Sequence, residues 1–490
     1  MNGDPRFEAF LERYKQYKDT AQIDELRNTD YRRLDQSGQV YLDYTGAALY
    51  GDSQVSKHLD LLRSNVFGNP HSANPTSIAM TDLVERTRRN VLTYFNAQDD
   101  YHLVFTLNAS GALKLIGESF PFTSGSRFLA TFDNHNSVNG IREFARRQGA
   151  SVQYTPLTTP DLRLDEAALT LALAQPQGSG QNLFAYPAQS NYSGVRHSLA
   201  WIAKAQAQGW RVLLDAAAFV PTNRLDLKAV QPDFVSVSFY KMFGYPAGIG
   251  ALLIRKDTLP ILNRPWFAGG TVNFTSVQGQ SHLLSQGEAA FEDGTINYLS
   301  IPAVEIGMEH LESIGLETIG KRVYCLTGWL LDQLQSLRHS NGRELLRLHG
   351  PSANDSRGGT ITFSLYDPQG ERVDYRRIEE LAGHASISLR TGCFCNPGAN
   401  EAAEGLTEKE LASGFALGPE LNLPNFVKLM ESQRNNKSAG AIRASIGLAT
   451  NFKDATALVD FLAAYCNQPR ATIGEVSVED DTCRVIRDGS

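Results

Sequence analysis

Cysteine is scarce in this chain: Cys325, Cys393, Cys395, Cys466 and Cys483 are the only five in 490 residues. So sparse and odd a set excludes the disulfide framework of a secreted scaffold and fits a reducing cytosol. Long apolar runs are missing too. No stretch approaches the roughly 20 apolar residues of a spanning helix, and the opening MNGDPRFEAFLERYKQYKDT is charged with no apolar core. The expectation is therefore a soluble, unprocessed, cytoplasmic protein with no membrane partner, in which the Asn191-Tyr192-Ser193 sequon stays idle. Clustered basic charge is absent, with a net charge of -7 and a pI near 5.9, so nucleic acid is not an expected partner. Neither a GxGxxG fingerprint nor a Walker A loop occurs, which removes the commonest nucleotide-binding readings. Beside Cys393 and Cys395 no second Cys/His pair stands at ligand spacing, so a zinc site is not expected. Repeats, heptad runs and low-complexity tracts are also lacking.

What is present is a chain that is 42% hydrophobic, long enough for one large core and a smaller companion. Short β-rich apolar runs at 102–106, 127–132, 152–157, 182–187, 211–215, 234–239 and 249–255 alternate with helical periodicity at 110–120, 139–149 and 197–210. That alternation predicts an α/β, doubly wound domain with a mostly parallel seven-stranded sheet. After about residue 300 a long helical stretch (301–337) precedes more widely spaced strands at 360–367, 385–392 and 441–448, the pattern of a smaller α+β domain. The predicted division is an N-terminal helical segment (1–40) joining the small domain, a large domain (41–310), a small domain (311–468) and an acidic tail (469–490). The Gly-containing stretch 396–425 reads as a lid or partner-facing loop.

Two strand ends stand out chemically. RVLLD puts Asp215 at the end of one strand, and FVSVSFYK puts Lys241 just past the end of the next. In a parallel sheet both open onto one crevice. A pyridoxal phosphate (PLP) enzyme needs a lysine there for its Schiff base and a carboxylate to keep the pyridine nitrogen protonated. Taken singly, Asp215 reads more readily as a helix N-cap and Lys241 as a solvated loop lysine. The phosphate end moves the balance: in VFTLNASGALKL a strand meets a helix start at Ser110, and Ser238 offers a second hydroxyl three residues before Lys241.

These residues sit in a series of stretches that resembles the class V aminotransferase-fold family (fold type I PLP-dependent transferases). Within it, the chain is similar to the N-terminal cysteine desulfurase domain of molybdenum cofactor sulfurases. The stretches are YLDYTGAAL (41–49), FGNPHSAN (67–74), VFTLNASGALKL (104–115), DNHNSVNGIRE (133–143), FAYPAQSNYSGVR (184–196), VLLDAAAFV (212–220), DFVSVSFYKMFGYPAGIGALLIR (233–255), FEDGTINYLS (291–300) and RTGCFCNPGA (390–399). The resemblance implies that His135 stacks on the cofactor ring and Asn191 bonds its phenolic oxygen. It implies further that Asp215 pairs with the ring nitrogen, Lys241 carries the cofactor, and Ser110 and Ser238 hold the phosphate. Thr295 matches a threonine given to a neighbour's phosphate, which implies a homodimer. Arg390 matches the arginine that grips the substrate carboxylate. Cys395 matches the thiolate that takes sulfur from PLP-bound L-cysteine as a persulfide, leaving alanine, with Cys393 a second thiol nearby.

The departures are as specific. The resemblance ends near residue 460 and does not take in the C-terminal domain that binds the molybdenum cofactor in full-length eukaryotic enzymes, so the sulfur acceptor stays open between that cofactor and others. Ala218 stands where many desulfurases have a glutamine that reaches the phenolic oxygen, Tyr240 where they have a histidine, and Pro397-Gly398-Ala399-Asn400 where a third cysteine often lies. The implied activity is a PLP-dependent cysteine desulfurase. The alternatives are another class V enzyme acting on an amino acid, such as a C-S lyase, a β-eliminating enzyme or an epimerase, and a non-catalytic sulfur carrier.

Overall fold

The computed structural model describes residues 4–70, 72–175, 178–421, 425, 426, 429 and 437–474. Seven strands form its central sheet: β1 (Tyr101–Thr106), β2 (Arg127–Thr131), β3 (Ser151–Thr155), β4 (Asn182–Pro187), β5 (Trp210–Asp215), β6 (Phe234–Ser238) and β7 (Gly250–Arg255). Their spatial order is β1-β7-β6-β5-β4-β2-β3. Five of them run parallel from β3 to β6, while β7 is antiparallel to both of its neighbours. Helices cover both faces, so strands such as NLFAYP are buried along their whole length and read as unbroken apolar runs.

A second, antiparallel sheet is built from β8 (Leu346–Leu348), β9 (Thr360–Leu365), β10 (Arg390–Gly392) and β11 (Ala441–Ser445), in the order β8-β9-β11-β10. The apolar core does not stop between the sheets. One contiguous cluster holds Leu103, Leu214 and Val235 of the first together with Phe363, Leu365 and Ile442 of the second. The N-terminal helix Pro5–Arg13 joins the same cluster: the Phe10 ring lies 4.8 Å from that of Phe452 and 6.4 Å from Trp329.

The structure corrects three details of the sequence reading. The run 152–157 is not one strand: β3 stops at Thr155, and beyond Pro156 Leu157–Thr158 pairs with Arg163–Leu164 instead. Proline has no N–H for the ladder, which forces that break. The run 385–392 likewise divides, Ile387–Ser388 pairing with Val40–Tyr41 and only Arg390–Gly392 entering the second sheet. The expected lid after Cys395 is largely helical, with helices Pro397–Glu404 and Glu408–Phe415. Asn396 caps the first through Ala399 N, Gly405 ends it at φ 61°, and Thr407 with Glu410 forms a capping box for the second. Of the glycines there, Gly405 is a helix stop, whereas Gly398 and Gly414 lie within the helices. Beyond residue 421 that segment lies mostly outside the described residues, as does the acidic tail past residue 474. Among the described residues no helix is long and apolar enough to cross a membrane.

Candidate active site

Strand ends bring the chemistry together. Asp215 closes β5, and Lys241 sits in the short helix Phe239–Phe243 that follows β6 directly and ends at Gly244 with φ 79°. Both line a cavity of about 310 Å³ that Ser110, His135, Asn191 and Ser238 also line. Six of the nine residues singled out from the sequence therefore face one space.

Asp215 is oriented from one side. Its Oδ1 accepts from Ser236 Oγ at 3.0 Å and from the Ala217 backbone N–H at 3.1 Å, while Oδ2 has no partner among the described residues. The Lys241 amine likewise makes no hydrogen bond there. Burial lowers its pKa and Arg443 adds to that, with the negative charges of Asp215, Cys395 and Asp43 acting the other way. A lysine so placed is biased toward the neutral, nucleophilic amine. His135 caps a helical turn, its Nδ1 accepting from the Ser137 N–H at 3.1 Å. Its pKa is also lowered by burial, against the pull of Asp215. A neutral imidazole is suited to lie against an electron-poor ring.

The opposite end of the cavity fits a phosphate. The helix Ala109–Ser119 begins there, capped by Asn108 through Gly111 N at 2.9 Å, and Ser110 Oγ lies 2.6 Å from Ser137 Oγ. Ser238 Oγ is buried without a hydrogen-bond partner among the described residues, a cost of about 1–3 kcal/mol unless a ligand satisfies it. An orphaned hydroxyl at a helix start, a carboxylate with a free oxygen and a buried lysine together match the phosphate, ring nitrogen and aldehyde of PLP.

Three of the predicted residues do not line this cavity. Thr295 is exposed and lines an adjacent cavity of about 270 Å³, which shares Leu107 and Gly248 with the first. Arg390 is 51% exposed in its side chain, and its guanidinium donates to Asp43 Oδ2 from Nε at 3.0 Å and from Nη2 at 2.6 Å. Cys395 is an exposed thiol in a left-handed turn, φ being 55° at both Phe394 and Cys395. That turn is held down by its backbone: the Asn136 N–H donates to Cys395 O at 2.7 Å, and Asn191 Nδ2 to Phe394 O at 2.8 Å. Asn191 Oδ1 in turn accepts from Asn396 Nδ2 at 2.9 Å. Asn191 thus ties the cysteine turn to the cavity wall, a role its sequence position did not suggest. Cys393 is the less exposed thiol, its pKa raised by burial.

Sequence reasoning missed two residues. Arg443, in the middle of β11, is only 3% exposed; it donates to Asp43 Oδ1 and to Asn191 O, each at 3.0 Å, and its guanidinium lies 4.7 Å over the Phe394 ring. Its Nε is buried without a partner among the described residues, and its charge acts on both His135 and Lys241. The only signal was a cation inside the apolar run AIRASIGL. Gln189, just past β4, also lines the cavity and is buried.

Comparison with known proteins agrees with this architecture. The Aminotransferase class-V family model matches residues 40–458. Molybdenum cofactor sulfurase of Arabidopsis thaliana is 37% identical over an alignment covering 95% of this chain and 61% of the relative. The human protein of the same name is 36% identical, with 89% and 51% covered. The chain thus spans about half to three-fifths of the length of these curated relatives. Among solved structures, the apo cysteine desulfurase of Thermococcus onnurineus NA1 superposes with a TM-score of 0.74 at 21% identity, covering 90% of this chain and 97% of that one. The cysteine desulfurase CsdA of Escherichia coli gives 0.68 at 19% identity, with 88% and 95% covered. From residue 40 to residue 458, then, this chain belongs to the aminotransferase class V family.

Proposed function

We propose that the chain is a PLP-dependent cysteine desulfurase that converts L-cysteine to L-alanine and holds the released sulfur as a persulfide on Cys395. The observation that carries the reading is the single cavity that joins Lys241, Asp215 and the Ser238 hydroxyl, which has no partner among the described residues, with the exposed Cys395 thiol on a turn that Asn191 ties to the cavity wall. PLP, when bound, supplies an electron sink for bonds at the substrate's α- and β-carbons.

The chain's own residues supply the rest. Asp215 Oδ2 holds the proton on the ring nitrogen, and Ser110 and Ser238 donate to the phosphate. The Lys241 amine would hold the cofactor and, once free, would take the proton from the substrate Cα and return one to the carbon skeleton. Both Arg390 and Arg443 donate to Asp43, but we assign the substrate carboxylate to Arg443, because it is buried, its Nε has no partner among the described residues and its charge acts on Lys241, whereas Arg390 is half exposed. The Cys395 thiolate attacks the substrate sulfur. An S–S bond forms as the Cβ–S bond breaks, the electron pair passes to carbon, and a proton at Cβ completes alanine.

The relatives' name supports the molybdenum cofactor as the sulfur acceptor. A homodimer in a reducing cytosol completes the proposal. In support, Thr295 is exposed beside the cavity, and the hairpin Val272–Ser276 with Ser281–Leu284 presents Phe274 and Leu283 at 69% and 63% exposure.

The test is product analysis with L-cysteine and no added thiol. Wild-type protein loaded with PLP should form one alanine per site, and Cys395→Ala, still holding PLP, should form essentially none. Pyruvate as the main product would reassign the chain to β-elimination, and alanine formation at the wild-type rate by Cys395→Ala would remove the persulfide step.

A further inference from the structure

Gln189 has no task in the chemistry above, yet it is built into the site with some care. It is 4% exposed and lies between two spaces: the cavity of Lys241 and a small pocket of about 30 Å³ bordered by Ala217, Ala218 and Thr360. Its Oε1 is buried with no hydrogen-bond partner among the described residues. The amide lies flat against Gly358, where an added Cβ would come within 2.6 Å of both Cδ and Nε2 and closer still to Oε1. Only the bare Cα of glycine leaves room for it. A half-turn about the last side-chain bond exchanges the ends of the amide, so it can present a donor or an acceptor.

The connectivity of the PLP ring says what this amide would meet. The phenolic carbon lies between the carbon that bears the aldehyde and the one beside the ring nitrogen, on the side away from the phosphate arm. With Asp215 at the nitrogen, Lys241 at the aldehyde and Ser110 and Ser238 at the phosphate, the phenolic oxygen points to the remaining wall. The lining residues not yet given a task include Asn191, Gln189, Ala217 and Ala218. Asn191 gives one N–H to Phe394 O and has one left for the phenolic oxygen, which can accept from a second donor as well. Both alanines lack a polar atom.

We propose that Gln189 donates a hydrogen bond to the phenolic oxygen of PLP, taking the place of the glutamine that position 218 lacks. This rests on the reading of the cavity as a PLP site. The donor draws charge from the phenolic oxygen and so weakens the hold of that oxygen on the proton it shares with the lysine nitrogen.

The readout is the pH midpoint of the visible absorbance band of the purified, PLP-loaded protein, measured without substrate. Gln189→Ala should move that midpoint upward by about one unit, a tenfold change in proton affinity. Gly358→Ala, which displaces the amide without removing it, should move it the same way. Ala218→Gln added to Gln189→Ala should return it toward the wild-type value. Should Gln189→Ala fail to fold, Gln189→Met keeps the volume and carries the same expectation. A midpoint unchanged in the soluble Gln189 variant overturns the inference and leaves the cofactor assignment standing. A wild-type protein that takes up no PLP and shows no band overturns both.

Discussion

At the scale of single residues, the site is defined by polar groups left unsatisfied. Ser238 Oγ, Gln189 Oε1 and Arg443 Nε are all buried without partners among the described residues; Ser238 and Gln189 line the cavity of Lys241, and Arg443 donates to the backbone of Asn191 on its wall. Each such group destabilises the empty protein by about 1–3 kcal/mol, so a ligand that satisfies them gains affinity from the same terms. Asp43 bridges the two arginines, accepting from Arg390 on Oδ2 and from Arg443 on Oδ1. The bridge holds both, and the buried one, whose Nε has no partner among the described residues, is the one we assign to the substrate carboxylate. Arg443→Lys should therefore raise KM for L-cysteine at least tenfold, because an ammonium cannot reproduce the planar fork. Arg390→Lys should change KM only a few-fold. Steady-state kinetics on both variants decides the matter, and the reverse ranking would return the carboxylate to Arg390. Lys241 and Asp215 were legible in the sequence because strand ends in a parallel sheet share a crevice. Arg443 and Gln189 were not, because a buried polar residue leaves no periodic trace. The partner that explains Arg443 lies 400 positions away along the chain.

At the scale of elements, the lysine helix Phe239–Phe243 is positioned from behind. Phe243 packs on the helix Pro302–Ile314 at Gly307, where a Cβ would come within 2.7 Å of Phe243 Cγ and closer to its Cδ2 and Cε2. Gly307→Ala should overpack this contact at a cost of about 1–3 kcal/mol and push the lysine helix toward the cavity. Thermal unfolding with and without PLP checks it: Tm should fall in both states, and the stabilisation by PLP should shrink. An unchanged Tm would mean that this contact does not set the helix position. All seven central strands were legible to within about two residues, since strands buried on both faces are written as continuous apolar runs. The segment after Cys395 was misread because its glycines were taken for flexibility. Gly405 ends a helix instead, and the Asn396 cap fixes where that helix begins. The cysteine is therefore carried by a tethered turn at a helix N-terminus rather than by an open loop.

At the scale of the whole molecule, the two sheets and the N-terminal helix share one apolar cluster, and the cavity of Lys241 lies at the strand ends of the first sheet. Lys241 comes from the first sheet, Arg443 from the second, and Cys395 from the turn beyond β10. The proposed sulfur transfer needs all three in register. The second sheet was readable from the change in strand spacing after residue 300, whereas the shared core was not, because its contacts join residues hundreds of positions apart. The central claim is that sulfur leaves L-cysteine on one particular thiol. The most direct measurement is peptide mass analysis of the PLP-loaded protein after a single turnover with L-cysteine, in parallel with alanine quantification. The account predicts one additional sulfur atom on Cys395, equal in amount to the alanine formed; alanine produced with that sulfur on Cys393, or with Cys395 unmodified, would contradict it.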